Sequence, residues 1–347
     1  MTSFKRYFFY HFRSTLLRGA VIAVISIALT MAFVTSSLYQ RATDIYIYTD
    51  VGFLGVAAAT LCTVLPILEL MDFKKRRNLD TLFFLPVSRA KMSMAHYING
   101  LIQTLIIVTL CFITAFIKIV PLWEYLNLIY LLPLYGLFIP LCLAIYSTFC
   151  FIFIKANTTA DGIVFMITYA ILGFFLVTAI GEATDIEFIE RSPTYYFIYS
   201  PITLITSEFE GLIAPTVHHV LNSIDSSILY TVAPHYSVEF DPQAIVSFVF
   251  WGLVGLACIF GYVLSFARQK AENVGGISST WFGYRTLIPL CAVCMLLVME
   301  FDGLTGVVTA TAMTVAYIVY RRSFKLKMFD VAITLAVFLV TVCGAIF

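Results

Sequence analysis

Apolar positions along this chain gather into runs of about 20 residues bounded by polar or charged clusters, and runs of that length predict membrane-spanning helices. Six of them lie at about 19–38, 51–70, 93–117, 126–154, 163–181 and 244–266. Residues 286–320 fit a tight hairpin of two more, with MEFDG at its tip, and 329–347 fits a ninth. Phe4, Phe8, Phe12 and Leu16 recur every fourth residue among Lys5, Arg6, Arg13 and Arg18. That pattern predicts a basic amphipathic helix over 1–18, lying along the inner leaflet and feeding the first span. Residues 39–50, ending in TDIYIYTD, read as a short polar loop.

The sharpest break in the pattern is MDFKKRRNLDTLFFLPVSRAKM, Met71 to Met92. Lys74, Lys75, Arg76, Arg77, Arg89 and Lys91 place it in water. Within it Leu79, Leu82 and Phe83 fall at i, i+3, i+4, with Asn78 as N-cap and Pro86 ending the helix near Leu85. The expectation is a two-turn amphipathic helix outside the membrane, shaped to dock a partner.

Composition agrees with the pattern. Apolar residues make up 61% of 347 and charged ones 12%, far outside the range of soluble domains. The charges are unevenly distributed: 18 of the 21 Lys and Arg lie in 1–18, 71–92, 155–161, 267–285 and 321–327. Arg41, Lys118 and Arg191 are the other 3. By the positive-inside rule, the first group is cytoplasmic and so is the N-terminus, in the plasma membrane. No signal-peptide cleavage pattern opens the chain.

Residues 182–243 carry nine acids against Arg191 alone. SPTYYFIYSPITL and HHVLNSIDSSILY inside that stretch are too apolar for a solvated loop and too short to span. They read as surface or re-entrant helices capping the outer face. Glu208 and Glu210 belong to a solvated acidic surface, and His218, His219 and His235 lack the defined spacing of a zinc site. All eight cysteines, Cys291 and Cys294 included, lie in or beside apolar runs and read as buried thiols. Asn157-Thr158-Thr159 matches a glycosylation sequon that a cytoplasmic loop makes irrelevant. Gly173, Gly252 and Gly255, like Pro133 and Pro140, read as close-packing and kink positions.

Span interiors free of Asp, Glu, Lys and Arg argue against an ion-coupled transporter, and His96 reads as interfacial rather than as a proton relay. No G-x-x-x-x-G-K-[ST], H-E-x-x-H or G-x-S-x-G occurs, so ATP is not held here in the P-loop manner and no protease or lipase motif is present.

An amphipathic cytoplasmic helix between spans two and three, in a chain without an ATPase, resembles the coupling helix of ABC-2 type permeases, the type V exporter fold. LPVSR, Leu85 to Arg89, resembles the Leu-Pro-x-[ST]-Arg segment of bacterial members. AENVGG, Ala271 to Gly276, and RSFKLKMFD, Arg322 to Asp330, resemble a branch with extra spans after the sixth. Relatives of this kind often continue into a large extracellular domain, whereas this sequence runs to Phe347.

The resemblance implies an all-α polytopic membrane protein: a six-helix core over 19–266, then a cytoplasmic loop and two or three further spans over 267–347. It implies a half-transporter that pairs through spans one and five with a second permease, identical or related. Two separate ATPase subunits would carry the ATP and Mg; this chain would hold no cofactor, catalyse nothing itself, and contact lipid but no nucleic acid. Asn78, Leu79, Asp80, Leu82, Phe83, Leu85 and Pro86 would form the contact with a groove of the ATPase, and Arg76, Arg77 and Arg89 would meet its acidic rim. The cargo suited to aromatic-rich, charge-free spans is an amphipathic molecule, a hydrophobic or antimicrobial-type peptide or a lipid-like one. The competing readings are a non-transporting sensor or scaffold that docks a cytoplasmic partner, and a membrane enzyme acting on lipids.

Overall fold

The computed structural model describes residues 3–41, 44–50, 52–78, 84, 86–120, 131–184, 242–269, 271–278, 280–298 and 303–344. The predicted surface helices in 182–243, with Glu208, Glu210, His218, His219 and His235, lie outside the described residues.

Nine helices are present among the described residues: α1 Ser3–Phe33, α2 Gly52–Leu70, α3 Arg89–Ile119, α4 Leu131–Lys155, α5 Thr159–Thr184, α6 Pro242–Arg268, α7 Tyr284–Val298, α8 Gly303–Arg321 and α9 Met328–Gly344. Each overlaps one of the nine apolar runs, but α1 starts well before the expected 19 and stops at Phe33, with residues 35–38 in a strand. Among the described residues five stretches, Phe4–Phe33, Gly52–Lys74, Arg89–Ile119, Phe138–Lys155 and Val249–Arg268, are long and apolar enough to cross a membrane. This is a multi-pass α-helical membrane protein.

Residues 39–50 depart from expectation. Strands β1 (Thr35–Arg41) and β2 (Asp44–Asp50) pair antiparallel, with Leu38 opposite Ile47 and Tyr39 opposite Tyr46. The alternating β-branched and aromatic residues of DIYIYTD suit a strand, and composition alone hid that period.

The N-terminal segment departs too. With no proline between Ser3 and Phe33, α1 runs unbroken, and no separate interfacial helix precedes the first span. Phe4, Phe8 and Phe12 do stack along it, with centroids 6.3 and 6.1 Å apart, but Leu16 is exposed. A second stripe of Tyr7, His11, Thr15 and Gly19, again four apart, meets α3. The Tyr7 hydroxyl lies 2.8 Å from His96 Nε2, and the His11 and His96 rings are 3.8 Å apart. Buried Asn99 and Gln103 each donate to Thr15 Oγ1, at 3.0 and 2.9 Å. Gly19 leaves just enough room: a Cβ there would sit 3.3 Å from the Gln103 carboxamide. Interhelical hydrogen bonds in bilayers average only about 0.6 kcal/mol, so this cluster sets the register of α1 on α3 more than it stabilises the pair.

Packing divides the chain into two units, Met1–Pro66 with Lys91–Thr148 and Pro201–Cys258, and Ile67–Ala90 with Phe149–Ser200 and Ile259–Phe347. In the first, Tyr97 Oη lies 2.7 Å from Ser147 Oγ, and Lys118 donates to the Met31 and Val34 carbonyls, capping the C-terminal end of α1. In the second, Ile288, Ala292, Leu296, Met313, Tyr317 and Val337 join α7, α8 and α9 into one apolar cluster. Cys62, Cys111, Cys142, Cys150, Cys258 and Cys294 carry free, buried thiols, and the free thiol of Cys291 is half-buried.

Of Gly252 and Gly255, both expected at close contacts, one fits. A Cβ on Gly255 would lie 2.7 Å from the Ala144 Cα, whereas one on Gly252 would meet nothing within 4 Å. The backbones of α6 and α4 thus approach closely at Gly255 and not at Gly252. Gly255→Leu is therefore expected to lose at least the 1–3 kcal/mol typical of roughly one overpacked core site. Gly252→Ala should be neutral or slightly stabilising, and unfolding in graded denaturing detergent checks both.

Candidate functional site

The first long polar loop, between α2 and α3, divides its cations among different tasks. After α2 the chain makes a 3-10 turn, Met71–Lys74, whose Phe73 ring meets Phe266 edge-on at 4.8 Å. Lys74, first of four consecutive bases, turns inward and is only 6% exposed. Its ammonium donates to the Ile154 carbonyl at 3.1 Å and to the Ala156 carbonyl, and sits 5.7 Å from the Phe153 ring centre. The last carbonyls of a helix lack intrahelical partners and carry the negative end of its dipole, so a cation at the end of α4 satisfies both demands.

Lys75 makes an exposed 3.4 Å ion pair with Asp72. Arg76 Nε donates to the Val274 carbonyl at 2.7 Å, Arg77 is exposed, and Arg89 Nη1 donates to the Gln269 carbonyl at 2.9 Å. Two of the three arginines expected at a partner's acidic rim therefore bind backbone within this chain, and the third, Arg77, is exposed. Asn78 is no N-cap: residues 76–78 are already helical, and its amide donates to Asp72 Oδ1 at 3.0 Å. Pro86 is exposed, and Phe84 is 89% exposed. Leu79, Asp80, Leu82, Phe83 and Leu85 lie outside the described residues.

Val274 and Gln269 belong to the loop 267–285, which is itself tied to 155–161. The Gly275 N–H donates to the Asn157 carbonyl at 3.0 Å, and Asn157 Nδ2 donates to the Ile277 carbonyl at 2.8 Å. Ser278 Oγ accepts from the Asn157 N–H and donates to Asp161 Oδ2, both at 2.8 Å. Tyr284 Oη donates to Asp161 Oδ1 at 3.0 Å. Gly275 adopts φ +81°, a conformation that favours glycine, and a Cβ there would stand 3.4 Å from Arg76 Nε. Three polar loops are thus stitched together largely through backbone groups, next to the ends of α4, α5 and α7.

Sequence reading missed Lys74, Asn157, Asp161, Gly275 and Ser278. Two signals were legible. Thr158-x-x-Asp161 before an apolar run is a capping-box pattern, and Thr158 Oγ1 does accept the Asp161 N–H at 3.1 Å. Gly275-Gly276 marks a turn. Glu69, in the last turn of α2, is buried, so the expectation of spans without acids gives way there.

The two adjacent lysines give a direct check. Lys74→Met removes the donor from two carbonyls at a buried site and should cost about 2–3 kcal/mol. Lys75→Met should stay within about 0.5 kcal/mol, since exposed pairs contribute little. Thermal unfolding of both variants measures the difference; equal losses would contradict the assignment.

Compared with models of known families, with curated proteins and with solved structures, the chain matches none.

Proposed function

We propose that this chain is the transmembrane permease subunit of an ATP-driven exporter of the ABC-2 type, with six core helices and three more after them. Its N-terminus and the 71–92 loop are cytoplasmic, in the plasma membrane. Two P-loop ATPase chains supply ATP hydrolysis, and a second permease, identical or related, completes the pathway for an amphipathic cargo.

The observation that supports this reading best is the double anchoring of the charged loop. Arg76 near its start and Arg89 near its end are both fixed on the 267–285 loop, with Lys74 fixed at the end of α4. Between those anchors stand exposed Arg77, Phe84 and Pro86. A segment that receives a mechanical stroke needs that arrangement: firm shoulders to carry the displacement into membrane helices, and an accessible middle for a partner to hold. Apolar Leu79, Leu82, Phe83 and Leu85 supply the grip, and Arg77 the charge that orients docking.

Extraction from native membranes in mild detergent, through a tag on this chain, tests the proposal. An ATP-hydrolysing P-loop subunit should copurify in a one-to-one ratio with the permeases. Copurification of a stoichiometric partner that binds no nucleotide would replace the proposal with the scaffold reading.

A further inference from the structure

An apolar groove of about 440 Å³ lies among α5, α7 and α8, a volume in the range of small-molecule sites. Val164, Ile167 and Ile171 of α5, Met295 of α7 and Val308 and Ala316 of α8 are among its walls, and hydroxyls enter only from Thr168, Thr309 and Tyr284. On α7 the lining runs from Tyr284 to Met295, which at 1.5 Å per residue is about 16 Å. Half of a bilayer's hydrocarbon core is about 15 Å, so the groove has the depth of one leaflet.

Its two ends differ. At the Met295 and Val308 end the lining is apolar apart from the Thr309 hydroxyl. At the Tyr284 end the phenol is fixed on Asp161, and the next residue, exposed Arg285, holds its guanidinium 4.9 Å over Trp281 and 5.7 Å over Phe329. Trp281 is 71% exposed, as an interfacial tryptophan would be. Exposed Arg322, Lys325 and Lys327 follow the helix α8 whose last lining residue is Ala316. The described groups within this rim are cationic apart from Asp161 and Asp330, which already accept from Tyr284, Ser278 and Arg321.

We infer that this groove seats an acyl chain of an anionic phospholipid from the adjoining leaflet, with the headgroup phosphate on Arg285. One chain fills one leaflet's depth, and the aromatic-braced guanidinium sits where a phosphate would lie. The inference rests on α7 and α8 lying in the membrane, but not on any ATPase.

The test uses the full chain in phosphatidylcholine vesicles, with Trp123→Phe and Trp251→Phe so that Trp281 alone fluoresces. Phosphatidylglycerol brominated near its carbonyl end should quench Trp281 with roughly fivefold higher apparent affinity than the brominated phosphatidylcholine, the weight of about one cation near a membrane surface. Arg285→Gln should erase that preference. Ala316→Phe, which fills the groove, should reduce it with Arg285 intact, and circular dichroism confirms that each variant is folded. Equal quenching by both lipids in the parent, or an undiminished preference in Arg285→Gln, overturns the proposal. Quenching by neither lipid overturns it differently, by removing this end of α7 from the membrane surface.

Discussion

Replacing Leu82 and Phe83 with aspartate is expected to abolish association with the ATPase, and with it stimulated ATP hydrolysis. Each is a candidate apolar anchor of the kind whose truncation costs at least about 2 kcal/mol, and an introduced carboxylate adds desolvation. Loss of both therefore implies a drop of roughly a thousandfold or more in affinity. Replacing Arg76 and Arg89 with glutamine is expected to do something else. Their bonds end on Val274 and Gln269 of this same chain, so docking should survive while the stroke no longer reaches the membrane helices. The complex would hydrolyse ATP with little cargo movement. Pull-down, ATPase rate and vesicle uptake, measured on one set of samples, separate the two outcomes. Retained coupling in the Leu82→Asp, Phe83→Asp variant would end the docking assignment.

Arg321→Ala is expected to be the most destabilising single change among the described residues of the C-terminal helices. Arg321 Nη2 donates to Asp330 Oδ1 at 2.8 Å and its Nε to Oδ2, a bidentate pair across the α8–α9 turn. The Lys327 N–H adds a third donor to Asp330 at 3.2 Å, and Asp330 is 3% exposed. Removing the arginine leaves a buried carboxylate uncompensated, which costs about 3–5 kcal/mol. Arg321→Lys should recover part of that, because an ammonium cannot reproduce the two-pronged geometry. Lys325→Ala, at an exposed site in the same turn, should change little. Thermal unfolding ranks the three, and an Arg321→Ala protein as stable as Lys325→Ala would show that the pair does not hold the turn.

What the sequence revealed was governed by how each signal is written. Membrane helices are written by hydrophobic length, so each of the nine runs overlaps a helix, while the first span, expected at about 19–38, starts at Ser3 and ends at Phe33. The hairpin Thr35–Asp50 was hidden because polar composition outweighed a two-residue alternation. The pairing of α1 with α3 was legible in part. Ser93, His96, Asn99 and Gln103 recur at helical spacing on α3, as do Tyr7, His11, Thr15 and Gly19 on α1, but the larger phenylalanines of the other stripe dominate the pattern of α1. The fate of each cation in Lys74–Arg77 was not legible. A run of four charges reads as one solvated patch, while burial of Lys74 depends on two carbonyls 80 residues away or more, which no local pattern encodes.

The central claim is that the loop between α2 and α3 is held by an ATPase in the working assembly, and a photo-crosslinking residue at Phe84 tests it most directly. Phe84 stands almost fully exposed within that loop, so a probe there should disturb no packing of this chain. In complexes purified after irradiation of living cells, the account predicts a covalent adduct to a chain that binds ATP, lost when Leu82 and Phe83 are aspartate. An adduct only to a chain without nucleotide binding, or labelling of the same position by a membrane-impermeant reagent from outside the cell, would contradict it.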